Sequence, residues 1–206
     1  MKRFIIITLA MMLCLIAKAY TWTDENGTTW NYYLRSGGKA ALGYVSYSNG
    51  KYIPCISGAI PDDLTIPTIV KNGENEYDVT SIDNYAFQGC LDLKTITIPN
   101  GVTFIGTGAF SYCSNLTSIT IPNGVTSIGE QAFESCSNLT SITIPNGVTI
   151  IRSSAFSYCS NLTSVTIPES VTSIEYGAFE GCSALTSITI PNAVTTIGNA
   201  AFRNCI

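Results

Sequence analysis

From Val79 onward the apolar and polar positions of this chain recur every 23 residues without a gap, in turns that begin at Val79, Val102, Val125, Val148, Val171 and Val194. The turn starting at Val125 shows the pattern. In its second half Leu139, Ile142 and Ile144 alternate with Ser141 and Thr143, which predicts a short parallel strand with the aliphatic residues inward and the hydroxyls outward. Pro145 has no N–H to donate and ends that strand, and Asn146-Gly147 supplies turn chemistry. The first half carries a second extended piece, in which Val125 and Ile128 face inward. Between the two extended pieces the pattern predicts a short helical or 3₁₀ segment that carries Ala132 and Phe133 into the core, with Cys136 closing the turn.

One such turn cannot bury its own apolar set, so stability has to come from stacking Leu on Leu and Phe on Phe in neighbouring turns. The predicted fold is therefore a β-rich repeat solenoid, a horseshoe of 23-residue turns. The rival, a compact sandwich of short strands, explains turn signals but not identical residues at one fixed interval.

Before the solenoid the pattern changes twice. Lys2 and Arg3 precede the apolar run from Phe4 to Ala17, and Ala17-Lys18-Ala19 offers small residues for cleavage, so residues 1–19 read as a signal peptide and the mature chain begins at Tyr20. A lipoprotein reading at Cys14 is weaker, because Met12-Leu13 precede it. Residues 20–63 lack the repeat and are rich in aromatics, including Trp22, Trp30, Tyr32, Tyr33 and Tyr44. Strand-like runs at 28–34, 41–47 and 52–56, with hairpin signals at Gly37-Gly38 and Asn49-Gly50, predict a β-meander that covers the N-terminal end of the stack. The same aromatics also suit a ligand platform. Residues 64–206 form the solenoid, with Asn72-Gly73 turning a hairpin into the first regular repeat.

Composition narrows the function. The formal net charge is −4, and three of the ten basic residues lie in the leader, so the mature chain carries −7. Nucleic acid and anionic membrane need clustered Lys and Arg, so neither suits this chain as a partner. There is no histidine, which removes the commonest general base and the commonest metal ligand. Glu130, Glu134, Glu175 and Glu180 fall on outward positions and read as solvated surface. The chain is expected to bind rather than to catalyse, and no cofactor or metal is expected.

The string Leu-x-x-Ile-x-Ile-Pro-x-x-Val-x-x-Ile-x-x-x-Ala-Phe-x-x-Cys, which runs through residues 116–136 and its copies, resembles the BspA-like leucine-rich repeat family. That resemblance covers roughly residues 64–206. It implies a curved solenoid on a secreted or surface-attached microbial protein with adhesive roles towards host matrix, host cells or other microbes. It brings no catalytic residue with it. No recognisable anchor or sorting domain follows the repeats, which leaves the route of surface attachment open.

Three features stand out as candidates. Cys90, Cys113, Cys136, Cys159, Cys182 and Cys205 recur at one point of successive turns; a spacing of ~4.8 Å would permit disulfides, but with Cys55 the mature cysteines are odd in number. A ladder of buried thiols is the simpler reading, disulfides remain the alternative in an exported protein, and a linear row does not make a metal cage. The outward hydroxyls Ser118, Thr120, Ser141, Thr143, Ser164 and Thr166 form two columns, suited to a soluble β-face or, as a minority reading, to ordering water. Finally, Phe104 and Ile150, with Tyr112 and Tyr158, place apolar and aromatic groups on every second turn, which makes a contact patch or drift on a free surface.

A sheet face ~29 Å long and ~17 Å wide covers roughly 500 Å², below the ~800 Å² of a standard interface. The chain is therefore expected to bind a protein or surface glycan through more than its sheet, or in several copies. A structural alternative is self-association through residues 185–190 at the C-terminal end. Asn115, Asn138 and Asn161 match the glycosylation acceptor, a match the repeat alone produces.

Overall fold

The computed structural model describes residues 19–48, 51–53, 56–57 and 60–205. The expected leader therefore lies outside the described residues apart from Ala19, as do Asn49-Gly50 and Cys55.

The N-terminal part is a sheet made by alternating aromatic and polar residues. Strands β1 (Ala19–Thr23) and β2 (Thr29–Arg35) pair antiparallel with Trp22 opposite Trp30, and Gly37 and Gly38, both at positive φ, turn β2 into β3 (Lys39–Leu42). Expected as one strand, residues 41–47 are split at Gly43, whose φ is 94°. A Cβ there would lie 2.7 Å from Cβ of Ala86, so only glycine lets the chain pass this close to the first repeat. Beyond Gly43, β4 (Tyr44–Ser48) and β5 (Lys51–Ile53) form a separate antiparallel pair, and β6 (Ile56–Ser57) returns to β2. The strand at Ala19–Thr23 is an element that the sequence pattern did not signal.

The solenoid begins at β7 (Asp63–Thr65). A hairpin of β8 (Ile69–Asn72) and β9 (Asn75–Ile82), turned at Gly73, follows. From there the turns contribute short strands on two sides, with none at 187–189: β10 (Thr95–Thr97), β11 (Phe104–Ile105), β12 (Ser118–Thr120), β13 (Ser127–Ile128), β14 (Ser141–Thr143), β15 (Ile150–Ile151), β16 (Ser164–Thr166), β17 (Ser173–Ile174) and β18 (Thr196–Ile197). They stack as two parallel ladders in the 23-residue register, Thr95 beside Ser118 and Phe104 beside Ser127. β3 pairs parallel with β9, so the N-terminal sheet continues directly into the second ladder and closes that end of the stack.

Between the ladders the structure departs from the expected helical or 3₁₀ segment. The described residues contain no helix. Amides of Gly108, Phe110 and Tyr112 donate forward to Glu130, Ala132 and Glu134 of the next rung, while amides of Ala109, Ser111 and Cys113 donate back three residues. A helix would aim every amide along its own axis; here the direction alternates residue by residue. Two columns of left-handed residues allow it: Tyr85, Gly108, Gln131, Ser154, Gly177 and Ala200, and Gly89, Tyr112, Ser135, Tyr158, Gly181 and Asn204, all with φ between 55° and 73°.

The core is a set of columns. Phe87, Phe110, Phe133, Phe156, Phe179 and Phe202 stack with centroids 5.1 to 5.5 Å apart and planes within 8° of parallel, the offset arrangement that aromatic rings favour. Leu116, Leu139 and Leu162 are fully buried beside them. In the last turn Ile188, Ile190, Val194 and Phe202 are only partly buried, and residues 185–190, expected as an edge strand, make no bridge to β16.

Within the stack the first ladder is interrupted between β12 and β14 and the second between β13 and β15, and the first ladder ends at β16. The second lapse falls where Arg152 occupies the position held by Gly106, Gly129 and Gly198 in other turns. A Cβ on Gly129 would sit 2.4 Å from the amide nitrogen of Thr107, although Glu175 holds the same place one turn after Arg152 and its rung stays paired through β15 and β17.

Candidate binding groove

The candidate residues fall on three separate surfaces. Ser118, Thr120, Ser141, Thr143, Ser164 and Thr166 all point outward from the first ladder and are exposed. Their array is interrupted between Ser118 and Ser141, where β12 and β14 are not bridged. Phe104 and Ile150 sit half-buried on the second ladder, in line with Ser127 and Ser173. Tyr112 and Tyr158 lie on the turn segment, 52% and 49% exposed. The alternate-turn patch read from the sequence is thus two patches.

Tyr112 and Tyr158 line a concavity. A trough of about 530 Å³ runs along the stack, lined by Leu91, Tyr112 and Tyr158 with Ser114, Ser137 and Ser160. Its volume is that of an ordinary ligand cleft. Leu91, 56% exposed, and the three serines were not foreseen. Their shared 23-residue spacing was visible, but their side of the stack could not be known while this segment was read as helical.

The trough follows from the left-handed column. Tyr112, Ser135, Tyr158 and Gly181 occupy successive rungs of it, so large and small side chains alternate. The Tyr158 ring leans forward over Gly181, where an added Cβ would meet the ring at 2.7 Å. Its hydroxyl lies 3.4 Å from Oε1 of Glu180, a buried carboxylate that also accepts from Nε of Arg203 at 2.8 Å. Alternation is therefore packing: a ring on one rung takes the space that the next rung leaves open.

The polar surface of the trough is neutral, with no charged side chain in its lining. The amides of its left-handed column are spoken for. The amides of Tyr112, Ser135, Tyr158 and Gly181 donate to Glu134, Ser157, Glu180 and Arg203 of the following rung at 2.6 to 2.8 Å. Ser137 and Ser160 donate their hydroxyls to the carbonyls of Ser114 and Ser137, which leaves the lone pairs of each serine oxygen as the free polar groups. Asn138 and Asn161 likewise tie their amides to the side chain one rung back.

The cysteine ladder faces away from chemistry. Five of the six thiols donate to a phenylalanine carbonyl one rung back: Cys113 to Phe87, Cys136 to Phe110, Cys159 to Phe133, Cys182 to Phe156 and Cys205 to Phe179, at 3.0 to 3.2 Å. All six are free thiols. Burial pushes Cys136 and Cys182 up to about 12 and raises Cys159 well above the ordinary thiol value. Among the described residues no group of three or more His, Cys, Asp or Glu is arranged to hold a metal ion, and no helix is long and apolar enough to cross a membrane.

Residues 80–206 match the BspA type leucine rich repeat region in six copies. The chain belongs to the BspA-type leucine-rich repeat family. Its fold is similar to that of a leucine rich cell surface protein from Faecalibacterium prausnitzii, at 34% identity and a TM-score of 0.64 over 91% of this chain and 53% of that one. A leucine-rich repeat protein from Bacteroides ovatus is similar at 31% identity and a TM-score of 0.64, over 85% of this chain and 49% of that one. This BspA-type chain therefore spans about half the length of those two proteins. The leucine-rich repeat protein of T. pallidum is similar at 25% identity and a TM-score of 0.65, with 89% of each chain covered. No curated protein matches the chain. BspA-type repeats thus supply the two ladders and the stacked core, while the trough depends on which residues this chain places in the left-handed column.

Proposed function

We propose that this chain is a secreted or surface-exposed, adhesin-like module that binds a macromolecule of a host or microbial surface through the Tyr112–Tyr158 trough, and that it is a binder rather than an enzyme. The observation that carries the reading is the exposure of two large aromatic side chains side by side in one concavity, on a chain whose phenylalanine column from Phe87 to Phe179 is buried. Exposed aromatics in a cleft are the usual anchors of recognition. Solenoids present extended surfaces for such contacts. The similarity to a cell surface protein of Faecalibacterium prausnitzii supports an exported location, and so does the leader read at residues 1–19.

The test is retention of the chain beginning at Tyr20 on whole microbial cells and on extracellular-matrix preparations, compared with Tyr112→Ser/Tyr158→Ser. Serine already stands at the equivalent left-handed position 135 with φ 59°, so the exchange leaves the backbone intact. Retention by the parent chain and its loss in the double variant is the expected result. Equal retention of both would remove the trough from the function.

A further inference from the structure

We propose that the trough is a subsite for a neutral, extended β-1,4-linked glycan laid along the stack axis, a ligand class that deepens the reading just given and rests on it. Three observations converge. The first is chemical. An ionic ligand would find no opposite charge in a lining of Leu91, tyrosines and serines, and a polyanion would meet a chain of net negative charge. A pyranose presents apolar C–H faces with hydroxyls around its rim. Tyrosine faces suit the first, and serine oxygens with free lone pairs suit the second.

The second is what the trough withholds. An extended peptide gains affinity by adding a strand to unpaired backbone groups. Here the amides of Tyr112, Ser135, Tyr158 and Gly181 all donate to the next rung, so the left-handed column along the floor offers a peptide no amide to pair with. Contact is left mainly to side chains, which are aromatic, hydroxylic and, at Leu91, aliphatic.

The third is the period. Phe110, Phe133 and Phe156 set the rise per rung at 5.3 and 5.4 Å. Tyr112 and Tyr158 stand two rungs apart, roughly 10 Å at this kind of strand spacing. An extended β-1,4-linked pyranose chain advances by about one rung per ring and flips each ring relative to the last, so every second ring shows the same face. Tyrosines on alternate rungs meet rings of the same face, and Ser135 between them leaves room for the intervening ring. Serines at 114, 137 and 160, one per rung, keep the same step.

Titration calorimetry and tyrosine fluorescence with cellohexaose and chitohexaose test the proposal, with the β-1,3-linked laminarihexaose as control. The chain is expected to bind at least one of the β-1,4-linked hexasaccharides and to bind it better than the β-1,3-linked one, whose rings do not repeat on alternate steps. Affinity should rise sharply from disaccharide to trisaccharide, the shortest chain that reaches both rings. Tyr112→Ser and Tyr158→Ser should each weaken binding about tenfold, with circular dichroism unchanged. Failure of both β-1,4-linked hexasaccharides to bind, or binding indifferent to both substitutions, overturns the glycan. If neither binds while retention on cells or matrix still depends on the tyrosines, the trough stands as the site and its ligand is a protein. If retention too ignores the tyrosines, both readings fall.

Discussion

Sγ of Cys136 donates to the carbonyl oxygen of Phe110 at 3.2 Å, and the same oxygen accepts the amide of Cys113 at 3.2 Å. One carbonyl thus joins its own turn to the next, using both lone pairs. The cysteine ladder is a hydrogen-bonding element of the core, in which five of the six thiols, from Cys113 to Cys205, donate to a carbonyl of the preceding rung.

Those thiols should be unreactive while the chain is folded. Alkylation needs the thiolate, and burial holds Cys136 and Cys182 at about 12. Treated with iodoacetamide at pH 8, the native chain should be labelled first at the half-buried Cys205 and at Cys136 only after urea unfolds it. Mass spectrometry of unreduced protein reads both the labelling order and the thiol count. Rapid native labelling of Cys136, or a bridge between neighbouring ladder cysteines, would contradict this arrangement.

Much of the architecture was legible because stacking imposes one residue type per column: Phe87 through Phe202 align as the repeat demanded. The turn segment was not. Ala132-Phe133 suggested a helix by spacing alone, whereas the outcome rests on left-handed backbone at Gln131 and Ser135, residues that carry no glycine signature. A subtler signal was present, since neither left-handed column contains a β-branched residue. The candidate patch was half legible for the same reason. Phe104 and Tyr112 share a turn and a period, but the alternating amide direction between them carries them to different surfaces.

Gly129→Ala should destabilise the stack. Its Cβ would lie 2.4 to 2.7 Å from backbone atoms of Gly106 and Thr107, which cannot yield as a side-chain end would. Overpacking of this kind costs about 1–3 kcal/mol. Urea denaturation should show a lower midpoint, with the loss of the β11–β13 pairing that the parent chain retains. An unchanged midpoint would mean that the rungs can slide apart freely.

Stability near pH 5 should carry the mark of Asp83. Burial pushes its carboxyl up to about 6 from 3.8, even though Nη2 of Arg35 lies 2.9 Å away. A folded-state value above the unfolded one means that the native chain holds its proton more tightly. The favourable contribution is therefore complete below pH 3.8 and lost as pH rises through about 6. Asp83→Asn should flatten the stability profile of the parent chain between pH 4 and 6, by up to about 2–3 kcal/mol across the window. Because Asp83 joins the N-terminal sheet to the first repeat through Arg35, hydrogen exchange in β3 and β9 should follow the same trend. Parallel profiles for the two proteins would exclude Asp83 as the source.

Phe133→Ala tests what couples the two ends of the solenoid. In a stack, each rung is held by its neighbours alone, so cooperativity depends on the weakest interface. Strand pairing lapses on both sides of the third turn, between β12 and β14 and between β13 and β15. The aromatic column does not lapse: Phe133 meets Phe110 at 5.3 Å and Phe156 at 5.4 Å, with planes 7° and 2° apart. At this turn neither ladder runs through, since β11–β13 pairs only before it and β14–β16 only after it, so the ring stack carries a continuity that neither ladder supplies. Phe133→Ala should cost about 3–5 kcal/mol and split urea unfolding into two transitions. Phe179→Ala, at a turn where β17 still pairs with both β15 and β18, should lower stability but keep one transition. If both variants unfold in a single step with similar midpoints, the lapses in strand pairing carry no energetic weight and the rungs are coupled evenly throughout.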